Sequence, residues 1–297
     1  MASVSPNHGS RVFESPNTPV LIRTSESAIG CIFGTAPDAD ASIFPYDKPI
    51  LVNGNFDLDK LGAIGDAGTL KDALDAAYDQ TPFQCFLVRI EEGVDTAATI
   101  ANMVGDRTAL TGVHSVRKIE SLYGHKFKPR IYAAPGFSAV LTSDGIASYT
   151  ITNGGSGYTE ETTTITAGGD GVGSELLPVI TDGVLTDIII RNPGRGFSSA
   201  PTITVADSGS GTGATVTVTV GTVGNPVVYE LIGLMSENEY RALMFVDGPN
   251  TTDANAKLAA EKYGSKRIEM IDPELMVYDQ SSEGFISYPP SAHWLGV

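Results

Sequence analysis

The chain has 297 residues, 41% of them hydrophobic and 18% charged, the balance of a soluble globular protein of one or two domains with enough length to bury a core. Nineteen Lys and Arg against 35 Asp and Glu leave a net charge of −16, so the mean field repels a phosphate backbone and nucleic acid is not an expected partner. No apolar run reaches the ~18 residues of a membrane span, and membrane insertion is not expected either.

Residues 1–20 have neither the charged nor the apolar region of a signal peptide. They are polar, carry Pro6, Pro16 and Pro19, and read as an extended N-terminal arm. The β-branched stretch Val20–Asp40 predicts one or two strands ending at the turn residues Pro37 and Asp38. A helix follows, with Thr69 as N-cap and Asp72 as the acidic partner of a capping-box relative. Leu70, Ala73, Leu74 and Ala77 give it one apolar face, and Pro82 stops it. Phe86–Ile90 reads as a buried strand, so strand, helix and strand predict a βαβ unit. Cys31 and Cys85 sit in apolar runs and read as small buried hydrophobes, in keeping with folding in a reducing cytoplasm. The densest basic stretch, Arg117–Arg130 with Lys118, Lys126 and Lys128, reads as a solvated helix face and its following loop.

Residues 141–227 differ in kind. Gly145–Tyr158 answers to Gly183–Phe197, with an offset of 38 at the first glycine and 39 at Asn153/Asn192, Gly157/Gly196 and Tyr158/Phe197. Each copy continues into a threonine-alternating strand, Thr162–Thr166 and Pro201–Val205, and the second closes with Ala214–Val220. Alternation of Thr with Val or Ile has the period of a half-buried strand, and the Gly/Asn/Ser clusters between are turns. These residues predict a small all-β domain of two repeats. Eight acidic side chains stand against Arg191 and Arg195, and the segment has no Lys, His, Cys or Met. It is poor in catalytic groups.

The closing stretch, residues 228–297, returns to the alternating pattern. Asn225 and Pro226 predict the N-cap and first residue of a helix running through Leu243. Met244–Asp247 reads as a strand, Thr252–Tyr263 as a helix ended by Gly264, Arg267–Ile271 and Met276–Tyr278 as strands. Residues 21–140 and 228–297 thus predict one discontinuous α/β, or α+β, core domain carrying the all-β segment 141–227 as an insertion.

No catalytic, cofactor-binding or metal site is assigned. Asn153–Tyr158 lacks the lysine and Ser/Thr of a phosphate loop and reads as a turn. His114 and His125 lack metal-ligand spacing and read as isolated surface residues. Asp170, Asp182, Asp187 and Asp207 fit no EF-hand. Tyr158 and Phe197 read as packing within each repeat rather than as a sugar-stacking platform. Asp247–Asp253 has the look of an acidic catalytic loop, but its place between strand and helix favours turn and cap.

The α/β parts resemble the tail sheath proteins of contractile-tailed phages and phage-tail-like bacteriocins. The resemblance runs in order through His8–Glu14, Thr24–Asp40, Phe44-Pro45, Pro49–Val52, Gly68–Ala76, Asp79-Gln80, Val88-Arg89, Thr111–Val113, Lys128–Ile131 and Ala134–Phe137. It resumes in Phe245–Ala254, Tyr263–Arg267, Ile271–Pro273 and Tyr288–His293. It implies a non-enzymatic structural subunit of the virion tail, assembled in the bacterial cytoplasm without a cofactor. It implies neighbouring sheath subunits, the tail tube protein and the baseplate as partners. Family members carry a further C-terminal region beyond the Pro-Pro-Ser-Ala motif, so the resemblance implies either a shortened chain or a reduced variant of the family. The all-β segment resembles glycine-rich modules of phage tail and fibre proteins, which leaves a glycan-binding tail adhesin as the alternative.

Overall fold

The computed structural model describes residues 29–54, 57–237, 242–279 and 283–296; the arm expected over residues 1–20 lies outside them. Strand β1 (Ile29–Thr35) is buried at all seven positions. Strands β3 (Gln84–Ile90) and β4 (Pro129–Ala133) flank it in parallel, and β2 (Pro49–Asn53) runs antiparallel on β3. Strands β11 (Leu243–Asp247) and β12 (Ile268–Ile271) extend the β4 side, both parallel. The sheet order is β12-β11-β4-β1-β3-β2. Its five parallel strands therefore follow the doubly wound order 2-1-3-4-5, with the topological switch beside β1.

The helices are α1 (Leu58–Gly62), α2 (Thr69–Tyr78), α3 (Thr96–Val104), α4 (Lys118–Tyr123, continuing a 3₁₀ turn over Gly112–Arg117), α5 (Pro226–Ser236), α6 (Asp253–Ala260) and α7 (Pro290–Trp294). Strand alternation divides the apolar side chains between the faces. Cys31, Phe33, Phe86 and Val88 pack with Met103 of α3 and Leu231 of α5, whereas Ile32, Cys85 and Leu87 pack with Leu70 and Leu74 of α2 and Ala292 of α7. Two covered faces explain why β1 and β3 read as continuous apolar runs rather than alternating ones.

Three local expectations need correction. Thr69 is the first residue of α2 and not its cap; the cap is Gly68. A Cβ on Gly68 would stand 2.3 Å from Thr35 O, so the helix start is pressed against β1 and no side chain fits there. Thr69 instead trades bonds with β1: its Oγ1 accepts from Thr35 N at 3.1 Å, and its N–H donates to Thr35 Oγ1 at 3.3 Å. Helix α5 ends at Ser236, short of Leu243, where Glu237 turns extended and its carboxylate is taken by Arg107 at 3.0 Å and Arg117 at 2.6 Å. Helix α6 ends at Ala260, and Gly264 is not a left-handed terminator. Beyond Ala260 the last turn tightens to i→i+3 bonds, Lys262 N to Ala259 O and Tyr263 N to Ala260 O, and Tyr263, buried, accepts from Asn225 N at 2.6 Å.

The repeat stretch forms strands β5 (Thr142–Ser156), β6 (Thr163–Ala167), β7 (Val172–Thr181), β8 (Val184–Arg195), β9 (Ile203–Asp207) and β10 (Thr212–Val223). All its pairings are antiparallel: β5 with β10, β7 with β8, and β6 with both β7 and β9. The first strand of each copy thus pairs with the last strand of the other, an approximate two-fold exchange. The equivalence extends to irregular positions within the strands, where Asn153–Ser156, expected as a turn, belongs to β5. Asn153 Oδ1 accepts from Gly155 N at 2.9 Å and Asn192 Oδ1 from Gly194 N at 3.0 Å, with both glycines left-handed at φ +65° and +68°. Ile146, Ile165, Leu176, Leu185, Ile188, Phe197, Val216 and Val218 form a hydrophobic cluster of these strands alone. A hairpin of β13 (Leu275–Asp279) and β14 (Gly284–Tyr288) precedes α7 and exposes Met276, Tyr278 and Phe285 on one face.

Candidate functional site

In a doubly wound sheet the ligand crevice lies at the carboxyl ends of the strands, at the switch point. Here those ends bring Asp247 of β11 beside the Ala134–Ser138 turn after β4. Asp247 is 4% exposed. Its Oδ2 accepts from Gly136 N at 3.0 Å and Ser138 Oγ at 2.8 Å, and its Oδ1 from Ser291 N at 2.9 Å. Asp247 N in turn donates to Ser138 Oγ at 2.9 Å. The start of helix α7 is thus tied to the end of β11, and the helix packs beside α2 on one face of the sheet with Ser291 and Ala292 fully buried. The acidic loop resolves into a cap, Thr252 Oγ1 accepting from Asn255 N at 3.3 Å, and a clamp at Asp247 that the sequence reading missed. The clamp partners lie 111, 109 and 44 residues away, so no local pattern marks them.

A second polar cluster lies where α5 meets β8. Glu230 Oε1 accepts from Asn192 Nδ2 at 2.9 Å, and Glu230 Oε2 lies 3.4 Å from His114 Nε2. His114 Nδ1 stands 2.6 Å from Arg117 Nη1, and Arg117 reaches Glu237. The cleft around them, about 520 Å³, is also lined by Arg107, Arg191 and Arg195. His114 is therefore not an isolated surface residue: its side chain is 7% exposed and sits between Glu230 and Arg117. Arg117 and Lys118 also leave the solvated face expected of them, Lys118 Nζ donating to Asp47 O at 2.8 Å. His125 does lie at the surface, beside Glu120. His293 falls on α7, and His8 lies outside the described residues.

In the repeat strands Tyr158 and Phe197 are 3% and 2% exposed. A Cβ on Gly211 would stand 2.2 Å from the Tyr158 ring, and one on Gly171 2.3 Å from the Phe197 ring, so each aromatic is seated on bare backbone. Both are packing residues, as the repeat pattern predicts. The four aspartates do not converge. Asp170 accepts from Ser198 N, Asp187 from Tyr149 and Ile188 N, Asp207 from Thr162, Thr163, Gly209 N and Gly211 N, and Asp182 occupies the β7–β8 turn with φ +53°. Hydrogen bonds from Tyr149 and Thr162, respectively, hold the Asp187 and Asp207 carboxyls below their ordinary range. Among the described residues no group of three or more His, Cys, Asp or Glu side chains is placed to hold a metal. Cys31 and Cys85 are buried free thiols, and burial pushes Cys85 up to about 12.

The geometry is that of an α/β protein with a doubly wound sheet, in which β4, β11 and α7 are joined at Asp247. No protein-family model matches the chain. Among curated proteins it is 31% identical over 151 residues to the tail sheath protein of Escherichia phage P2, covering 48% of this chain and 37% of that protein. It is 30% identical over 136 residues to the major tail sheath protein of Serratia phage KSP20, covering 43% and 33%. It is 40% identical over 57 residues to a putative prophage major tail sheath protein of Pseudomonas aeruginosa strain UCBPP-PA14, covering 19% and 15%. The matched stretches span about a third of the length of the first two relatives. A solved sheath tail protein from Desulfitobacterium hafniense is similar at 10% identity and a TM-score of 0.27, with 99% of this chain and 60% of that one covered, too slight a likeness to carry an argument. Over about half its own length, then, the chain is a homologue of phage tail sheath proteins.

Proposed function

We propose that the chain is a structural subunit of a contractile phage tail sheath. The observation that carries this reading is the identity to named tail sheath proteins over 151 and 136 residues. Function then resides in interfaces with neighbouring subunits, the tail tube and the baseplate. Work comes from a switch between two packings of nearly rigid subunits, the extended lattice being held by a kinetic barrier. No nucleotide step is required.

On this reading residues 141–227 are a domain inserted into a discontinuous core of residues 21–140 and 228–297, and they face outward as a decoration of the sheath. The glycan-binding alternative is weakened by the burial of Tyr158 and Phe197, which removes the stacking platform it needs. Immunogold electron microscopy of particles from the source, with antibody to this chain, tests the proposal. Label along the whole tail shaft is expected. Label confined to the tail tip would favour the adhesin, and label absent from every tail would refute both.

A further inference from the structure

We propose that the repeat strands β5–β10 form a hinged module, pivoting at Asn225 and held against the α/β core by a polar latch at Glu230. This rests on the reading of residues 141–227 as an insertion. Four observations carry it.

The hydrophobic clusters do not mix: the one built from Ile146–Val220 shares no residue with the two of the α/β core. The chain crosses between the two parts only twice, after Ser138 and before Pro226, and both crossings are tied at one point. Asn225 is fully buried, donates from Nδ2 to Phe137 O at 2.8 Å and Val140 O at 2.7 Å, and caps α5 through Oδ1 to Val227 N at 2.8 Å. That is a pivot, because it fixes where the module is attached without fixing its angle.

The angle is set five residues further along α5. Five residues of helix rise about 7.5 Å. There Glu230 receives Asn192 of the second repeat and backs onto His114 of the core. Asn192 also keeps its bond to Gly194 N, whereas the equivalent Asn153 of the first repeat makes only the matching bond to Gly155 N and is exposed. The docking bond is thus an addition to one copy of a duplicated unit, not a requirement of the repeat fold.

Finally, the α5–β8 contact is flanked by two clefts. One, of about 520 Å³, lies toward α3 and Arg191; the other, of about 760 Å³, lies toward Tyr229, Lys262 and Ile189. Closing either one is the motion the pivot permits. A polar latch between two separately packed bodies behaves as a shallow two-state contact, and rigid-body rotation about a few linking residues is its standard release.

The test uses the full chain with cysteines introduced at exposed Thr204 on β9 and Lys257 on α6, spin-labelled, with the distance between them read by pulsed electron resonance. The native Cys31 and Cys85 are buried and do not compete for label. The parent is expected to show one narrow distance distribution. Glu230→Ala is expected to lose that single peak while the circular dichroism of the α/β core is kept. Asn192→Ala should do the same from the module side. A Glu230→Ala distribution as narrow as the parent's would overturn the latch. If Glu230→Ala instead unfolds both parts in one transition, the insertion reading fails and the hinge with it.

Discussion

Replacing Asp247 by Ala removes the acceptor shared by Gly136 N, Ser138 Oγ and Ser291 N. Two of these donors are backbone N–H groups that cannot rotate away, and Ser291 and Ser138 are buried while Gly136 is exposed. An orphaned buried donor costs ~1–3 kcal/mol, and the Ser138 hydroxyl loses a charge-assisted bond besides, so the loss should be about 4 kcal/mol. That is a large share of the ~5–15 kcal/mol that holds a domain folded. At ~2–4 °C per kcal/mol for a domain of this size, the melting temperature should fall by roughly 8–16 °C. Scanning calorimetry of Asp247→Ala measures it, with Asp253→Ala at the exposed start of α6 as the control, expected to cost no more than ~1 kcal/mol. The clamp also predicts coupling: Ser138→Ala added to Asp247→Ala should cost less than the sum of the two changes alone. A loss below ~1 kcal/mol, or strict additivity with Ser138→Ala, would refute the argument that Asp247 joins β4, β11 and α7.

Asn225→Ala should destabilise the chain by about 3 kcal/mol in urea titrations, since it removes the α5 cap and strands two carbonyls and two helix N–H groups; a loss within 0.5 kcal/mol or so would show the pivot is not formed. Leu74→Ala in α2 empties a buried site and should cost ~2–5 kcal/mol by the same assay. Cys85, at about 12, should resist alkylation in the native protein at pH 8 and react fully once urea unfolds it; rapid native labelling would contradict its burial. Asp187 and Asp207 have folded values below the ordinary 3.8, so their contribution is complete above that value and lost as pH falls through the lower folded ones. Acid titration of the repeat strands, followed by circular dichroism, should therefore become less steep in Thr162→Val.

Several elements were legible because their physics is local. Alternation of Thr with Val or Ile marked β6, β9 and β10, and the 38- and 39-residue offsets paired Tyr158 with Phe197 before any contact was known. The third strand of the first copy, β7, escaped notice because Val172–Thr181 carries Leu and Pro where its counterpart β10 alternates Thr with Val. Helix ends were misread for the opposite reason. Thr69 has the chemistry of a cap, but whether a cap fits depends on Thr35, 34 residues away. Gly264 has the chemistry of a terminator, but the regular helix ends earlier, in a tightened turn at Tyr263.

The same division holds for the sites. By itself the sequence determined the α/β pattern, the repeat, the buried thiols, the Asn225 cap and the turn after β11, because each follows from periodicity or from neighbours within four residues. Only the tertiary structure decided that Asp247 is a clamp, that His114 is buried against Glu230, and that Asn192 reaches the core while Asn153 does not. Those outcomes depend on which groups the fold brings together across 38 to 116 residues, and a buried charge takes its role from the partners it finds there.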